Sequence, residues 1–159
     1  MSVEMKKIAF VITHILCVGV GFGLGLYTLP ILIQPDSPSM SDVQSVTNHA
    51  LYTTTFQKDR KDSDFLHWGE GSVSIDSEYL AFVGKLAPGP DYKLYFSPTF
   101  IETENDFSKH KSKMRKVGDI KSFDRFTIKL PEDMRLEDYN TVIVWCETFG
   151  EFITSARYK

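Results

Sequence analysis

The chain has 159 residues, of which 42% are hydrophobic, and a formal net charge of -3. This length leaves room for one ordinary domain, because about 110 residues remain beyond the apolar N-terminus to form a single core. Acidic and basic residues are interspersed through the polar part, so no basic face for nucleic acid is predicted. Cys17 lies in the apolar part and Cys146 in the polar part, and both are predicted to be free thiols.

An uncharged apolar segment runs from Ile8 to Ile33, about 26 residues, which exceeds the ~20 needed to cross a bilayer as a helix. It is too long for a cleaved signal peptide, so a retained transmembrane helix is predicted over 8–33. Lys6 and Lys7 precede it, and the next basic residue is Lys58. The positive-inside rule therefore places residues 1–7 in the cytoplasm. We expect a single-pass protein of the cytoplasmic (inner) membrane, with its C-terminal domain in the periplasm or outside.

Four alternating glycines lie within this span, so that small residues recur four positions apart. Such spacing lets a second helix approach closely and predicts a helix-mediated homo-oligomer or docking on a membrane partner, although glycine is also common in membrane helices. The residues are Gly19, Gly21, Gly23 and Gly25. His14 is interpreted as a helix-interface residue, because one histidine supplies only one of the two ligands that a b-type haem requires.

Residues 34–49 are predicted to be a linker, because the proline-rich segment from Gln34 to Asp42 has no apolar periodicity and is typical of an extended tether. Short strand-like segments follow over 50–159, separated by Gly, Pro, Asp or Ser. The predicted strands are 50–57, 65–68, 71–77, 78–86, 91–97, 125–130, 141–147 and 152–158. A helical turn is predicted only over Pro131 to Asp138. The pattern predicts an all-β domain, an antiparallel β-sandwich or partly closed barrel, preceded by one N-terminal transmembrane helix.

No catalytic or metal site is predicted, so an enzyme is not expected. The histidines of the polar part lack metal-ligand spacing, and no serine lies in a nucleophile elbow. The one dense basic segment is predicted to be a solvated loop. Its functional alternative is a surface patch that binds anionic lipid or an acidic protein. The cations of this segment are Lys109, Lys111, Lys113, Arg115 and Lys116.

The C-terminal segment 141–158 is predicted to be a β-hairpin that reverses at Gly150. Alternation divides its first strand into two faces. One face holds Val142, Val144 and Cys146, and the other holds Thr141, Ile143, Trp145 and Glu147. A thiol in line with two valines is typical of a small buried hydrophobic residue.

Three segments, read together, resemble the DM-thirteen domain, a family sometimes labelled an electron-transfer domain. They are Gly69 to Ile75, Pro88 to Ser97, and Tyr139 to Phe149 followed by Ala156. Their order and spacing also resemble those of the family. The resemblance covers about Ala50 to Tyr158, and its most specific part is the Val-x-Val-Trp-Cys-Glu-x-Phe motif at 142–149.

This resemblance implies a β-rich extracytoplasmic module, found alone in bacteria and joined in eukaryotes to DOMON and membrane b-type cytochrome domains. It implies a redox role in which Cys146 is either a redox-active thiol or a thiolate ligand of haem, with an envelope redox protein or a cytochrome as partner. The expected site neighbours are Trp145, Glu147 and Phe149, with Phe152 as a further apolar wall. The alternative is a non-redox protein- or lipid-interaction module of the cell envelope in which the buried cysteine is structural.

Overall fold

The computed structural model describes residues 2–159, so Met1 of the predicted cytoplasmic segment lies outside the described residues. Helix α1 spans Val3–Ile33 and is long and apolar enough to cross a membrane. It begins earlier than the predicted Ile8 because the Ser2 side chain caps it by accepting a hydrogen bond from the Met5 backbone N–H. The prediction of one long apolar N-terminal helix is confirmed.

Helix α2 spans Met40–Asn48, so the extended tether predicted over Gln34 to Asp42 is wrong from Met40 onward. Ser39 and Asp42 form a reciprocal capping box at its start. Val43 and Val46 lie one helical turn apart and pack on Ala81 of the β domain. Capping and the burial of two valines therefore stabilise a helix that shows little apolar periodicity.

The β domain consists of two antiparallel four-stranded sheets. The first sheet has the order β1-β2-β3-β6, formed by Tyr52–Phe56, Gly69–Ile75, Tyr79–Leu86 and Arg125–Lys129. The second has the order β5-β4-β7-β8, formed by Arg115–Ile120, Tyr92–Ser97, Thr141–Cys146 and Glu151–Arg157. Within residues 2–159 the sheets form no closed barrel, so of the two predicted all-β architectures the sandwich is the one observed.

The main hydrophobic core lies between the two sheets. Val73 and Ile75 are fully buried there, as alternation along β2 predicts. The outer face of the first sheet is covered by α2, and the outer face of the second by α3, which spans Glu104–His110. Both faces of each sheet are therefore partly packed, which the predicted strands alone did not show.

The predicted strand over 65–68 is absent from the structure, which has a turn there. One carboxylate oxygen of Asp64 accepts hydrogen bonds from the backbone N–H groups of Leu66 and His67, both at 2.7 Å. An aspartate that satisfies its own following backbone in this way competes with strand pairing.

The predicted solvated loop over 109–116 is also wrong in part. Lys111–Lys113 forms a 3-10 turn after α3, and the chain then enters β5, whose Arg115 and Lys116 pair with Phe96 and Tyr95. Charged residues suit this strand because it is at the edge of its sheet. Of the predicted helical turn at 131–138, only Leu136–Asp138 is helical, as a 3-10 turn.

Strand pairing brings several connections together at one end of the sandwich. Tyr92 lies opposite both Cys146 and Ile120, and Gly69 lies opposite Leu86, a few residues before Tyr92. We call this the cysteine end; its connections are 57–68, 87–91, 121–124 and 147–150. The opposite, far end carries the connections 76–78 and 130–140.

Candidate functional site

Cys146 is the last residue of β7 and only 2% exposed. It belongs to the core between the sheets together with Val142 and Val144, while Ile143 and Trp145 belong to a separate cluster on the outer face. The predicted division of this strand into two faces is confirmed. The thiol is thus directed into the sandwich at its cysteine end.

Tyr92 is the cross-strand neighbour of Cys146 and was not singled out from the sequence. Its side chain is 2% exposed, and its ring packs edge-on against Phe123 with centroids 6.0 Å apart. The phenolic oxygen is buried and has no hydrogen-bond partner within residues 2–159. Gly89 lies against this ring so closely that an added Cβ would be 2.3 Å from a ring carbon. A buried phenol without a partner therefore lies beside the thiol.

Burial raises the pKa of the Cys146 thiol above its usual range. Backbone hydrogen bonding at Phe149, Asp91 and Thr148 acts in the opposite direction but is outweighed by burial. Burial is also the main reason why the pKa of Tyr92 is raised, with smaller contributions from Cys146 and other neighbours. Both groups are therefore neutral at physiological pH while the core stays closed.

The turn at 147–150 covers the thiol. Gly150 adopts a positive φ of 71°, which glycine tolerates without strain, and its N–H donates to the Cys146 carbonyl at 2.9 Å. Asp91 fastens the turn, since its carbonyl accepts from the Glu147 N–H at 3.0 Å and its carboxylate from the Thr148 hydroxyl at 3.1 Å. A hydrogen bond from Lys93 is the main reason why the pKa of Asp91 is lowered. Access to the thiol through this turn requires these bonds to open.

Trp145 occupies the opposite face of β7. Its ring stacks on Phe107 of α3 with centroids 3.8 Å apart and an interplanar angle of 7°. Tyr95 meets Phe107 edge-on at 5.1 Å, and Phe152 joins the same buried cluster. Trp145 and Phe152 therefore do not wall the thiol. Phe107 escaped prediction because its partners are distant in sequence and only folding brings them together.

Glu147 is also turned toward this outer face. Its carboxylate accepts hydrogen bonds from the Tyr95 hydroxyl and, at 2.9 Å, from the Lys111 ammonium. Burial alone would raise the pKa of Glu147, but these two donors hold it below its usual range. The neighbouring residue Phe149 is 51% exposed at the tip of the turn. The side chains of Glu147 and Phe149 therefore do not wall the thiol, and Phe149 reaches it only through its backbone.

The five predicted basic residues have different environments. Lys111 pairs with Glu147, and Arg115 pairs with Asp133 through hydrogen bonds of 2.8 and 3.0 Å. The other three are exposed and have no ion pair within residues 2–159; they are Lys109, Lys113 and Lys116. The basic surface is therefore smaller than the sequence predicts and lies on the side of Trp145.

The side chains around Cys146 do not fit a haem-thiolate site. The sulfur is enclosed by packed core residues, and two of the expected apolar walls, Trp145 and Phe152, lie on the other face of the sheet. A porphyrin would have to displace the inter-sheet core to reach the sulfur. No group of three or more His, Cys, Asp or Glu side chains within residues 2–159 is arranged to hold a metal ion.

Helix α1 carries the remaining predicted features. No atom lies within 4 Å of a Cβ built on Gly19, Gly21, Gly23 or Gly25, so both glycine pairs, Gly19/Gly23 and Gly21/Gly25, are open in the single chain. The two pairs lie on nearly opposite sides of the helix, because residues two positions apart are about 200° apart. His14 bonds through its Nδ1 to the Phe10 carbonyl at 2.8 Å. Association through either glycine pair stays a prediction.

Comparison with known families identifies the domain. The family model described as Electron transfer DM13 matches residues 61–158, which is 98 of the 159 residues and includes Tyr92, Cys146 and the turn that covers the thiol. Neither the curated proteins nor the solved structures contain a match to the chain. The chain belongs to the DM13 electron-transfer domain family.

Proposed function

We propose that this protein is a membrane-anchored electron-transfer accessory whose redox group is the Cys146 thiol. The observation that carries the proposal is the placement of this thiol beside the Tyr92 phenol, whose oxygen is buried without a partner. An unsatisfied buried polar group costs about 1–3 kcal/mol, so its presence in the same core as the only cysteine of the β domain favours a functional site over inert core. Membership in an electron-transfer family supports the same assignment.

The anchor in this proposal is α1, with its N-terminus in the cytoplasm and the β domain in the periplasm or outside. The length and apolar character of α1 and the position of Lys6 and Lys7 ahead of the apolar segment support this topology. Electrons would come from, or go to, a partner protein of the envelope, such as an envelope redox protein or a cytochrome.

The reaction that fits a single thiol is exchange with a disulfide of that partner. When the 147–150 turn lifts, water reaches Cys146, the burial that raises the pKa of its thiol is relieved, and the thiol loses its proton to water. The thiolate attacks one sulfur of the partner's disulfide, a new mixed disulfide forms, and the other partner sulfur leaves as a thiolate. Cys146 is oxidised and the leaving sulfur is reduced, so the electrons balance.

A thiol titration of the full chain in detergent tests the proposal. In a Cys17→Ser background we expect 4,4'-dithiodipyridine to modify Cys146 in the folded protein faster than the protein unfolds. Because the pKa of this thiol is raised, we expect the rate of modification to keep rising at pH values where an ordinary cysteine is already fully deprotonated. The Cys146→Ser variant with Cys17 retained is the control for the second thiol. Modification that follows only the unfolding rate would overturn the redox assignment.

Loosening the turn gives a second test. Thr148→Val removes the hydrogen bond to Asp91 and is expected to accelerate Cys146 modification several-fold. The matched control is Thr54→Val, which removes a hydroxyl bond of 2.7 Å to the Arg157 carbonyl on another part of the sandwich. Equal acceleration by both variants would show that general loosening, and not the turn, controls access.

The second candidate function is a non-redox interaction module, which the burial and raised pKa of the thiol favour. Its contact surface would be the cations without ion pairs, Lys109, Lys113 and Lys116. Replacing Lys109 and Lys113 by Glu would then abolish retention of the full chain on a column of immobilised acidic polypeptide at low salt, whereas Lys85→Glu would not. Unchanged retention would reject this surface.

A further inference from the structure

Large apolar side chains are exposed on the connections of the cysteine end. Phe65 is 84% exposed and Leu66 41% exposed on the 57–68 connection, and Phe149 is 51% exposed at the tip of the 147–150 turn. Exposed apolar groups that share one end of a domain are typical of a contact surface. Phe149 lies more than 80 residues after Phe65 and Leu66 in the sequence, so only folding brings the three side chains to the same end.

Backbone and side-chain bonds fix the 57–68 connection at this end. The Ser63 hydroxyl donates to the Ile153 carbonyl at 2.9 Å, and the Ala87 N–H donates to the Trp68 carbonyl at 2.9 Å. Phe65 and Leu66 lie between these two attachments. The Asp64 carboxylate is near enough to Tyr92 to contribute to the raised pKa of that phenol, which agrees with this placement.

The C-terminal turns of α1 reach the same end of the domain. A cavity of about 390 Å³ lies between α1 and the β domain. The helix contributes Leu26, Leu29, Pro30 and Ile33 to its lining, and the domain contributes Gly89, Pro90, Ile120, Lys121 and Phe123. Pro30 is buried against the domain, whereas the preceding part of the helix is uncovered. The end of the candidate span therefore adjoins the cysteine end and not the far end.

We propose that the cysteine end rests on the surface of the lipid bilayer, with Phe65, Leu66 and Phe149 inserted among the lipid headgroups. The proposal rests on the proposed function only in that α1 spans the membrane; it does not depend on redox chemistry at Cys146, and a redox partner would have to reach the 147–150 turn at the membrane surface. The apolar end of α1 meets the domain at the cavity beside the cysteine end, and Phe65, Leu66 and Phe149 are exposed on the connections of that same end. Aromatic side chains are well suited to this interfacial region.

The charge of the cysteine end argues against electrostatic attraction to anionic lipid as the cause of the contact. The four connections of the cysteine end contain four Lys or Arg and six Asp or Glu. Attraction to anionic lipid therefore does not drive the contact, and apolar insertion does. The depth of insertion is expected to be the same in neutral and anionic bilayers and at low and high salt.

Spin-label depth measurements on the full chain in phosphatidylcholine nanodiscs test this inference. Cys17 and Cys146 are first replaced by Ser, and one label is then introduced by Phe149→Cys. The matched control is Leu51→Cys, since Leu51 is 62% exposed but its N–H pairs with the Ile75 carbonyl at the far end. We expect the label at 149 to be more accessible to oxygen than to a water-soluble nickel chelate, and the label at 51 to show the reverse.

Each outcome of this experiment decides a different point. Equal exposure of both labels to the chelate would overturn the bilayer contact. Insertion at 149 that requires phosphatidylglycerol and disappears at high salt would also overturn it, in favour of an electrostatic contact. A third label, introduced by Val20→Cys, reports on α1: exposure to water there would refute the anchor of the proposed function together with the contact, whereas a lipid-buried label at 20 with a water-exposed label at 149 would refute the contact alone.

Discussion

The two faces of β7 show how one strand can carry two different kinds of buried cluster. The inner face places Cys146 beside Tyr92, whose phenol oxygen is buried without a partner. The outer face places Trp145 under Phe107, next to a carboxylate, Glu147, that accepts from both Tyr95 and Lys111. The inner cluster leaves a polar group unsatisfied, whereas these outer polar groups are all paired.

This difference separates a stabilising cluster from a candidate site. Stacked aromatic rings and paired charges at the outer face lower the free energy of the fold, and their loss is expected to destabilise it. The inner pair carries a cost, because the thiol and phenol are desolvated and one hydroxyl has no partner. Substitutions on the two faces should therefore change the free energy of unfolding by different amounts and, for some pairs, in opposite directions.

The largest effect is expected from Phe107→Ala. Phe107 is 0% exposed and contacts both Trp145 and Tyr95, so its truncation should lower the free energy of unfolding by about 3–5 kcal/mol. Denaturant titration of the full chain in detergent, followed by tryptophan fluorescence, measures this loss. Phe149→Ala is the control, because that exposed ring should contribute no more than about 0.5 kcal/mol. Similar losses for both variants would show that the outer cluster adds no special stability.

Gly89→Ala should have the next largest effect. The new methyl group would lie 2.3 Å from the Tyr92 ring, which is held in the core and must move. We expect a loss of about 1–3 kcal/mol, the range for overpacking a core, together with faster modification of Cys146 by dithiodipyridine. Phe107→Ala, used at a denaturant concentration that gives equal stability, should not produce this acceleration. If it does, the two faces of β7 are not independent.

Two Tyr→Phe substitutions, one on each face of the sheet, are expected to have smaller effects on the free energy of unfolding. The two effects should have opposite signs. Tyr92→Phe removes a buried hydroxyl without a partner and should raise the free energy of unfolding by about 1 kcal/mol. Tyr95→Phe removes a donor to Glu147 and should lower it by about 1 kcal/mol. Thermal melts of both variants beside the parent chain measure the difference. Destabilisation by Tyr92→Phe would mean that its oxygen has a water or ligand partner in solution.

The smallest effect concerns the edge of the outer cluster, where Glu104 lies close to Glu151. Burial, followed by the hydrogen bond with Glu151, raises the pKa of Glu104. A carboxyl group whose pKa is raised on folding stabilises the fold at pH values below its unfolded-state pKa. This stabilisation is lost as the pH rises through the folded-state pKa. Glu104→Gln imitates the protonated form, so relative to the parent it should gain about 0.5 kcal/mol at pH 8 and nothing at pH 4.

Melts at both pH values check this prediction. The control is Glu102→Gln, because Glu102 pairs with Arg60 and Lys61 and its loss should destabilise the fold at pH 8. A gain from Glu104→Gln that is equal at pH 4 and pH 8 would contradict the assigned cause.

Local patterns determined much of the molecule. An uncharged segment of sufficient length predicts α1, and β-branched alternation around Gly150 predicts the hairpin of β7 and β8 together with the division of Cys146 from Trp145. The resemblance to the family rests on three separate segments, of which the motif at 142–149 is the most specific, and the family match over residues 61–158 confirms it. The helix and the hairpin each depend on neighbouring residues along one chain segment, and that is why the sequence alone predicts them.

Strand register and layer packing were decided only by the tertiary structure. Nothing local places Tyr92 opposite Cys146, since that pairing joins residues 54 positions apart. The same holds for Phe107 on Trp145 and for α2 on Ala81, where helices with few apolar residues are stabilised by the sheet they cover. Side-chain alternation is a property of one strand. Register depends on which of many distant segments packs best against that strand, and this packing exists only in the folded chain. Alternation along the sequence therefore predicts that Cys146 is buried, whereas the tertiary fold places the Tyr92 phenol beside it and the 147–150 turn over it.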